Sequence, residues 1–305
     1  LASSPEFLIE GILPANEVHL LGGSSGSGKT TLLFQVLAEW QQGHDVFGHK
    51  SFPVPYAYLS LDRSRSSVQR TLARIGLNDQ IPNIITREKF PKLITPKAMF
   101  DVGQAAFPES QAFFVEGYQT LAGDKGNSYS PVANLLTESA IICSAKHLTL
   151  LGVAHAAKLK REESWQNSRE VLLGSVAWSA YSDTIIVLDH NEDTRIVTCR
   201  IMPRNAPSEQ HEFIFGDRGI LQPYVQRTKK DSFCMRIAAL QAGRPITRDE
   251  IVSWGKSSSV STRTCDAAIK TCIENNLLEV IGNGIYERTT VSLPEIPADP
   301  DITVE

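Results

Sequence analysis

The chain has 305 residues, 42% of them apolar and 21% charged, with a formal net charge of -4. That length suggests one large domain or two unequal ones, with a core that needs neither disulfides nor structural metal. No run of about 18 uninterrupted apolar residues exists, so no membrane span is expected, and the composition is that of a globular rather than a disordered chain.

Leu1–Phe7 has neither a basic start nor an apolar core, so no leader is expected. From about Ile9 to Gln222, apolar β-branched runs alternate with helical patterns. In order these are a strand at Val18–Leu21, a helix at Lys29–Gln41, a strand at Tyr56–Leu61 and a helix at Ser66–Ile75. A strand at Ala112–Val115, a helix at Pro131–Lys146 and a strand at Leu148–Val153 follow. Strands at Thr184–Leu188, Arg195–Ile201 and Glu212–Phe215 end the series. Such alternation predicts an α/β domain with a mostly parallel sheet. Only turns separate the last three strands, which predicts an antiparallel edge.

After about Pro223 the pattern changes to short helices and one hairpin. Ser232–Ala242 reads as a helix with Phe233, Ile237 and Leu240 inward. Thr247-Arg248-Asp249-Glu250 is a capping box opening a second helix that ends near Trp254-Gly255. Ser259 or Ser261 caps a third, with Ala267, Ala268, Ile269, Cys272 and Ile273 inward, and Asn283-Gly284 turns a hairpin. The expected division is an ATPase-type domain at 8–225, a small module at 230–290 and an acidic, disordered tail at 291–305. Their charges differ. Residues 1–225 carry -3, 226–290 carry +3 and the tail -4. Cys143, Cys199, Cys234, Cys265 and Cys272 form no C-x-x-C pair, which points to reduced thiols and a cytoplasmic, intracellular protein. Cys265 and Cys272 are read as helix packing.

The strongest signal is Gly23-Ser24-Ser25-Gly26-Ser27-Gly28-Lys29-Thr30, a full G-x-x-x-x-G-K-[ST] match between a predicted strand and a helix that opens at Thr31. Glycines let backbone N–H groups turn inward around phosphates, and the helix N-terminus adds a favourable dipole. Lys29 would reach the β- and γ-phosphates and the Thr30 hydroxyl would ligate Mg2+. Glu116, after Phe113-Phe114-Val115, is the candidate carboxylate for the metal's water shell. Asp62, after Tyr58-Leu59-Ser60-Leu61, is the candidate for orienting an attacking water.

This order of loop, helices and acid-ended strands resembles the RecA-like core of hexameric replicative helicases, particularly plasmid RepA-type ATPases and DnaB-like helicases, over roughly Ile9–Gln222. The resemblance implies a RecA-like P-loop NTPase core, ATP with Mg2+, and a homo-oligomeric ring, a hexamer. It implies that His155, after Leu150–Ala154, senses the γ-phosphate. It makes Lys158, Lys160 and Arg161 part of a channel loop that tracks single-stranded DNA, although a solvated charge cluster reads equally well. Met202-Pro203-Arg204-Asn205-Ala206-Pro207 looks like the family's K-x-R-N-G-P segment, with Met202 for the lysine and Ala206 for the glycine. Arg204 would then act in a neighbour's nucleotide site.

The family carries Glu where Asp62 stands and Asp where Glu116 stands. The exchange either compensates in reach or marks weak hydrolysis. The C-terminal module resembles a winged helix-turn-helix, and Lys256, Thr262, Arg263 and Lys270 suit duplex DNA contacts. Docking on a replication protein is the competing reading. For the whole chain, a helicase competes with a loader, recombination or packaging ATPase that does not unwind processively. A non-catalytic, ATP-gated DNA-binding initiator or regulator is the third reading.

Overall fold

The computed structural model describes residues 6–92, 94–125, 128–155, 176–224, 245–257 and 260–289, together with Lys230, Cys234 and Ile237. The chain divides into two compact units, Leu1–Tyr224 and Val225–Glu305.

The first unit opens with a small hairpin, β1 (Phe7–Ile9) and β2 (Leu13–Pro14). Then come β3 (Val18–Gly23), α1 (Lys29–Trp40), β4 (Tyr56–Ser60), α2 (Arg65–Ile75), β5 (Ile84–Ile85) and α3 (Pro96–Ala106). They are followed by β6 (Ala112–Glu116), α4 (Tyr129–Lys146), β7 (Thr149–Val153), α5 (Val176–Ala180) and β8 (Thr184–His190). Three further strands, β9 (Ile196–Pro203), β10 (Glu209–Phe215) and β11 (Leu221–Pro223), end the unit. Among the described residues the main sheet has nine strands in the order β11-β10-β9-β8-β3-β7-β6-β4-β5. From β8 through β5 every pairing is parallel; β8 to β11 pair antiparallel.

The parallel strands are apolar on both faces because helices cover both faces. Leu21, Tyr58, Phe114, Leu151 and Ile186 point into one core with α1 and α2. Leu20, Leu59, Phe113, Leu150 and Ile185 point into the other with α3 and α4. Trp40 closes the first core: its ring stands edge-on to Tyr56 and Phe114, and its Nε1 donates to the Leu8 carbonyl at 3.1 Å. The antiparallel edge expected from sequence is present, extended by β11. The hairpin, β5, β11 and α3 are additions to the sequence reading. Helix α3 escaped it because its periodic stripe is short. Its Gly103 lies where a Cβ would come within 2.3 Å of the Phe113 ring, so the helix packs unusually close to β6.

In the second unit, β12 (Pro245–Thr247) leads into α6 (Arg248–Ser257) and α7 (Thr262–Glu274), then β13 (Leu278–Gly282) and β14 (Ile285–Arg288). The strand order is β12-β14-β13. The capping box forms as expected: the Thr247 N–H donates to Glu250 Oε2 at 2.7 Å, and the Glu250 N–H donates to Thr247 Oγ1 at 3.2 Å. Ser261 caps α7. Cys265, Ala268, Ile269 and Cys272 are buried in that unit's core, whereas Ala267 is exposed. The inward stripe is therefore one position out from the expected one, since Cys265 rather than Ala267 completes the i, i+3, i+4, i+7 set. Helix α6 runs to Ser257, past the expected end at Gly255. Most of the helix expected at Ser232–Ala242 lies outside the described residues. No described helix is long and apolar enough to cross a membrane.

His19 on β3 is fully buried, with Nε2 2.8 Å from the Pro14 carbonyl and Nδ1 without a partner. Burial lowers its pKa from 6.5 to about 4, against the opposing pull of the Pro14 carbonyl and Asp183. The unfolded chain therefore takes up this proton first as pH falls. The stability involved is present above pH 6.5 and lost between 6.5 and about 4, on the order of 3 kcal/mol. Urea unfolding at stepped pH is expected to show that loss, and a His19→Gln variant is expected to flatten the curve in this window.

Candidate nucleotide site

The loop Gly23–Thr30 leaves the C-terminal end of β3 and enters α1, as the motif predicts. Gly23, Gly26 and Gly28 have φ of 153°, 82° and 93°. A Cβ on Gly23 would stand 2.5 Å from the Leu188 carbonyl, and one on Gly28 3.0 Å from the Phe215 ring, so neither position admits a side chain. Helix α1 starts at Gly28 with no side-chain cap, leaving its first-turn N–H groups to an anion. Lys29 is buried, its Nζ donating to the carbonyls of Gly23 at 2.8 Å and Ser24 at 2.6 Å. Burial lowers its pKa to about 8, with Glu116 pulling the other way. Ser24, Ser25, Ser27 and Thr31 complete the loop, with Ser27 Oγ donating to the Ser24 carbonyl at 2.9 Å.

The two candidate acids come from the ends of adjacent strands. Ser60 on β4 is in register with Glu116 on β6. Glu116 is 6% exposed and its carboxylate gathers four donors. Thr30 Oγ1 donates to Oε1; Tyr58 OH donates to Oε2 at 2.5 Å, and Ser60 Oγ to the same atom at 3.4 Å. Arg63 Nη1 lies 3.3 and 3.4 Å from the two oxygens. Asp62 stands just past β4. Its pKa is raised, first by desolvation and then by Glu116. It packs on Gly117, whose φ is 73° and whose absent Cβ would lie 2.7 Å from Asp62 Cγ. His155 follows β7, its backbone N–H donating to the Gln119 side chain. Desolvation lowers its pKa, with Lys29 adding to the effect and Asp62 opposing it.

These groups line one cavity of about 540 Å³. It includes Lys29, Thr30, Asp62, Arg63, Glu116 and His155, with Arg74, Phe215 and Gly219 on the far wall. The far wall is held by Gln35 of α1, whose side-chain amide pairs with both backbone polar groups of Leu221 at 2.9 Å. The donor set fits a nucleotide with Mg2+. An uncapped helix start, a glycine cradle and a buried ammonium suit phosphates, and the Thr30 hydroxyl beside a carboxylate suits a hard cation.

The other expected site residues lie apart from this cavity. Arg204 follows β9 at its Pro203 end, and Pro203 is in register with Thr184 at the start of β8. Because Gly23 is in register with Leu188, Arg204 sits at the opposite end of the sheet from the loop, roughly 17 Å away at about 3.3 Å per residue. Its guanidinium donates to the carbonyls of Ala180 at 2.6 Å and Ser182 at 3.2 Å, and stands 4.0 Å from Asp183. Lys158, Lys160 and Arg161 lie outside the described residues. In the second unit Lys256, Thr262, Arg263 and Lys270 are all exposed, and Lys270 is 3.8 Å from Glu274. Sequence reasoning missed Tyr58, Ser60 and Arg63 around Glu116, and Phe215 over the loop. Polar side chains alternating on an otherwise apolar parallel strand were the available signal for Tyr58 and Ser60.

The family description "AAA domain" matches residues 2–102, the first third of the chain. Among solved structures, the ATPase domain of a DnaB-like helicase is similar, with 12% identity, a TM-score of 0.55, and 69% of this chain and 85% of that chain covered. A KaiC-like protein, PH0186 from Pyrococcus horikoshii, has 18% identity and a TM-score of 0.46, with 71% and 94% covered. No protein of curated function matches the sequence. Together with the loop and sheet, these define the class: the first unit has the fold of a RecA-like P-loop NTPase core.

An alanine at Gly117 must adopt a left-handed φ and displace Asp62. Gly117→Ala is expected to cost roughly 1–3 kcal/mol of stability in denaturant unfolding. An unchanged midpoint would show that the strand end relaxes freely.

Proposed function

We propose that the chain is an ATP-hydrolysing motor that moves on single-stranded DNA, a helicase of the replicative kind working as a ring, most simply a hexamer. The observation that carries this reading is the convergence of Lys29, Thr30, Glu116, Asp62 and His155 on one cavity at the C-terminal edge of the parallel sheet. Lys29 and the loop N–H groups would bind the phosphates of ATP. Thr30 and Glu116 would hold Mg2+, which neutralises charge on the phosphates when bound. Asp62 would orient the water that attacks, accepting its proton as it does so. His155, at the end of β7, would report the state of the γ-phosphate position to the segment containing Lys158, Lys160 and Arg161, which would contact single-stranded DNA.

Arg204 supports a multi-subunit site. At the far end of the sheet from its own loop it cannot serve that loop, so a part in hydrolysis requires a second copy of the chain. Its contacts with Ala180, Ser182 and Asp183 would hold it in place for that purpose.

Steady-state hydrolysis of ATP with Mg2+ is expected, stimulated by single-stranded DNA, and Lys29→Ala is expected to abolish it. Arg204→Ala should still assemble but lose about 10³-fold in turnover, as trans-acting arginines do. A mutant that assembles and turns over normally refutes that role. DNA-independent turnover with no unwinding of a forked duplex would favour a loader or packaging ATPase. ATP binding without turnover would favour the initiator reading.

For the second unit, docking on a replication protein is the better supported of the two readings. Glu279 and Glu287 are directly opposite each other on β13 and β14, beside exposed Val280, Ile281 and Ile285. An acidic, apolar hairpin repels phosphate. The exposed cations of α7 are few, and Arg248 is tied to Asp266 by two 2.8 Å bonds. Glu279→Gln/Glu287→Gln is therefore expected to change duplex affinity and its salt slope by less than about twofold. A tightening of about tenfold or more would place the hairpin against DNA.

A further inference from the structure

We propose that Arg63 is a positioning residue for Glu116, holding the metal-side carboxylate against Thr30 and tying it to α2. This rests on the reading of the cavity as a site for ATP with Mg2+.

Arg63 spends both edges of its guanidinium. Nη1 faces the two oxygens of Glu116 at 3.3 and 3.4 Å. Nε donates to Ser67 Oγ at 3.2 Å, and Nη2 donates to the Ser67 carbonyl at 2.9 Å and to the Thr71 hydroxyl. Its backbone N–H donates to Ser60 Oγ at 3.3 Å, fixing the root of the side chain beside the carboxylate it grips. The result is a strut from the first two turns of α2 to the end of β6. Only a planar fork does this; a lysine ammonium has no second edge to leave on the helix.

Glu116 needs such a strut more than a shorter acid would. It has one more rotatable bond than aspartate, and its oxygens must stay beside Thr30 to act on a cation. Tyr58 and Ser60 engage Oε2, Thr30 engages Oε1, and Arg63 alone spans both. Removing it leaves a buried carboxylate free to turn about its last bond. A purely structural ion pair would lower stability on removal. A positioning residue must also change how the site responds to Mg2+.

The test is equilibrium binding of a fluorescent ATP analogue, in EDTA and across a Mg2+ titration, with thermal melts and steady-state kinetics alongside. The full-length chain is compared with Arg63→Ala, Arg63→Lys, Glu116→Asp and the Arg63→Ala/Glu116→Asp double variant. Arg63→Ala is expected to leave the EDTA affinity within about twofold while raising the half-saturating Mg2+ concentration about tenfold or more, as removal of a ligand's supporting partner does. Its kcat should fall with little change in KM. Arg63→Lys should recover the melting temperature but not the Mg2+ response. In the Glu116→Asp background the Arg63→Ala effect should shrink to less than about twofold, since the shorter acid has less freedom to lose.

An unchanged or lowered half-saturating Mg2+ concentration in Arg63→Ala, where the wild type responds to Mg2+, overturns the positioning role alone. Wild-type nucleotide binding indifferent to Mg2+ overturns the reading of the site and this role with it. If Arg63→Ala does not fold, Arg63→Lys carries the same comparison: a wild-type Mg2+ response in it overturns the role.

Discussion

A carboxylate buried at the end of β6 is the constraint on which the candidate site turns. A charge removed from water costs several kcal/mol unless hydrogen bonds and an opposite charge replace the solvent. Glu116 recruits them from four places: Thr30 at the start of α1, Tyr58 and Ser60 on β4, and Arg63 leading into α2. Each donor fixes its own element relative to β6. The phosphate loop, the neighbouring strand and the helix after it are thereby set around one pair of oxygens. Tyr58 is locked in the same way, since burial and Glu116 together push its hydroxyl far from ionisation.

The parallel sheet gives the first unit two chemically different ends. Its C-terminal edge carries the loop, Glu116, Asp62 and His155, where strand ends and a helix start leave backbone donors open. Its N-terminal edge carries another set. Glu17 has a raised pKa, chiefly from burial and then from Asp183, with Arg204 pulling it back. Arg204 lies with that set because β9 runs antiparallel to β8 and delivers its C-terminal end to the start of β8. A chain that places its loop and this arginine at opposite edges can combine them only head to tail, which is the geometry of rings and filaments.

Much of this was legible in the sequence because it is written in local patterns. The loop motif has fixed spacing, and parallel strands buried on both faces show as continuous apolar runs, so Val18–Gly23, Tyr56–Ser60 and Ala112–Glu116 were found within a residue or two. Glu116 and Asp62 followed from their places at strand ends. What escaped was set by contacts distant in sequence. Arg63 matters because of Glu116, 53 residues away. Gln35 matters because it completes β11, 186 residues away. Ala267 was misplaced by one helical position because the stripe's phase is decided by β13 and α6 rather than by α7 itself. Gly117 could not be singled out, since only the approach of Asp62 makes its missing side chain consequential.

That approach also explains why the lengths of the two acids are exchanged relative to the families this core resembles. Ser60 and Glu116 are register partners, so Asp62, two residues on, lies over Gly117. There the left-handed turn at Gly117 brings backbone to within van der Waals contact of the Asp62 carboxyl, leaving no room for another methylene without moving one strand end. The space is not missing but redistributed. Glu116 carries the extra methylene on the other side of the turn, where it spans from β6 to the Thr30 hydroxyl. A short acid packed on glycine and a long acid reaching across the sheet form one arrangement. Returning either residue alone to the family's length removes a contact that the other depends on. The exchange is therefore a coupled pair of changes, and Arg63, bound to the longer acid and adjacent in sequence to the shorter, joins the two.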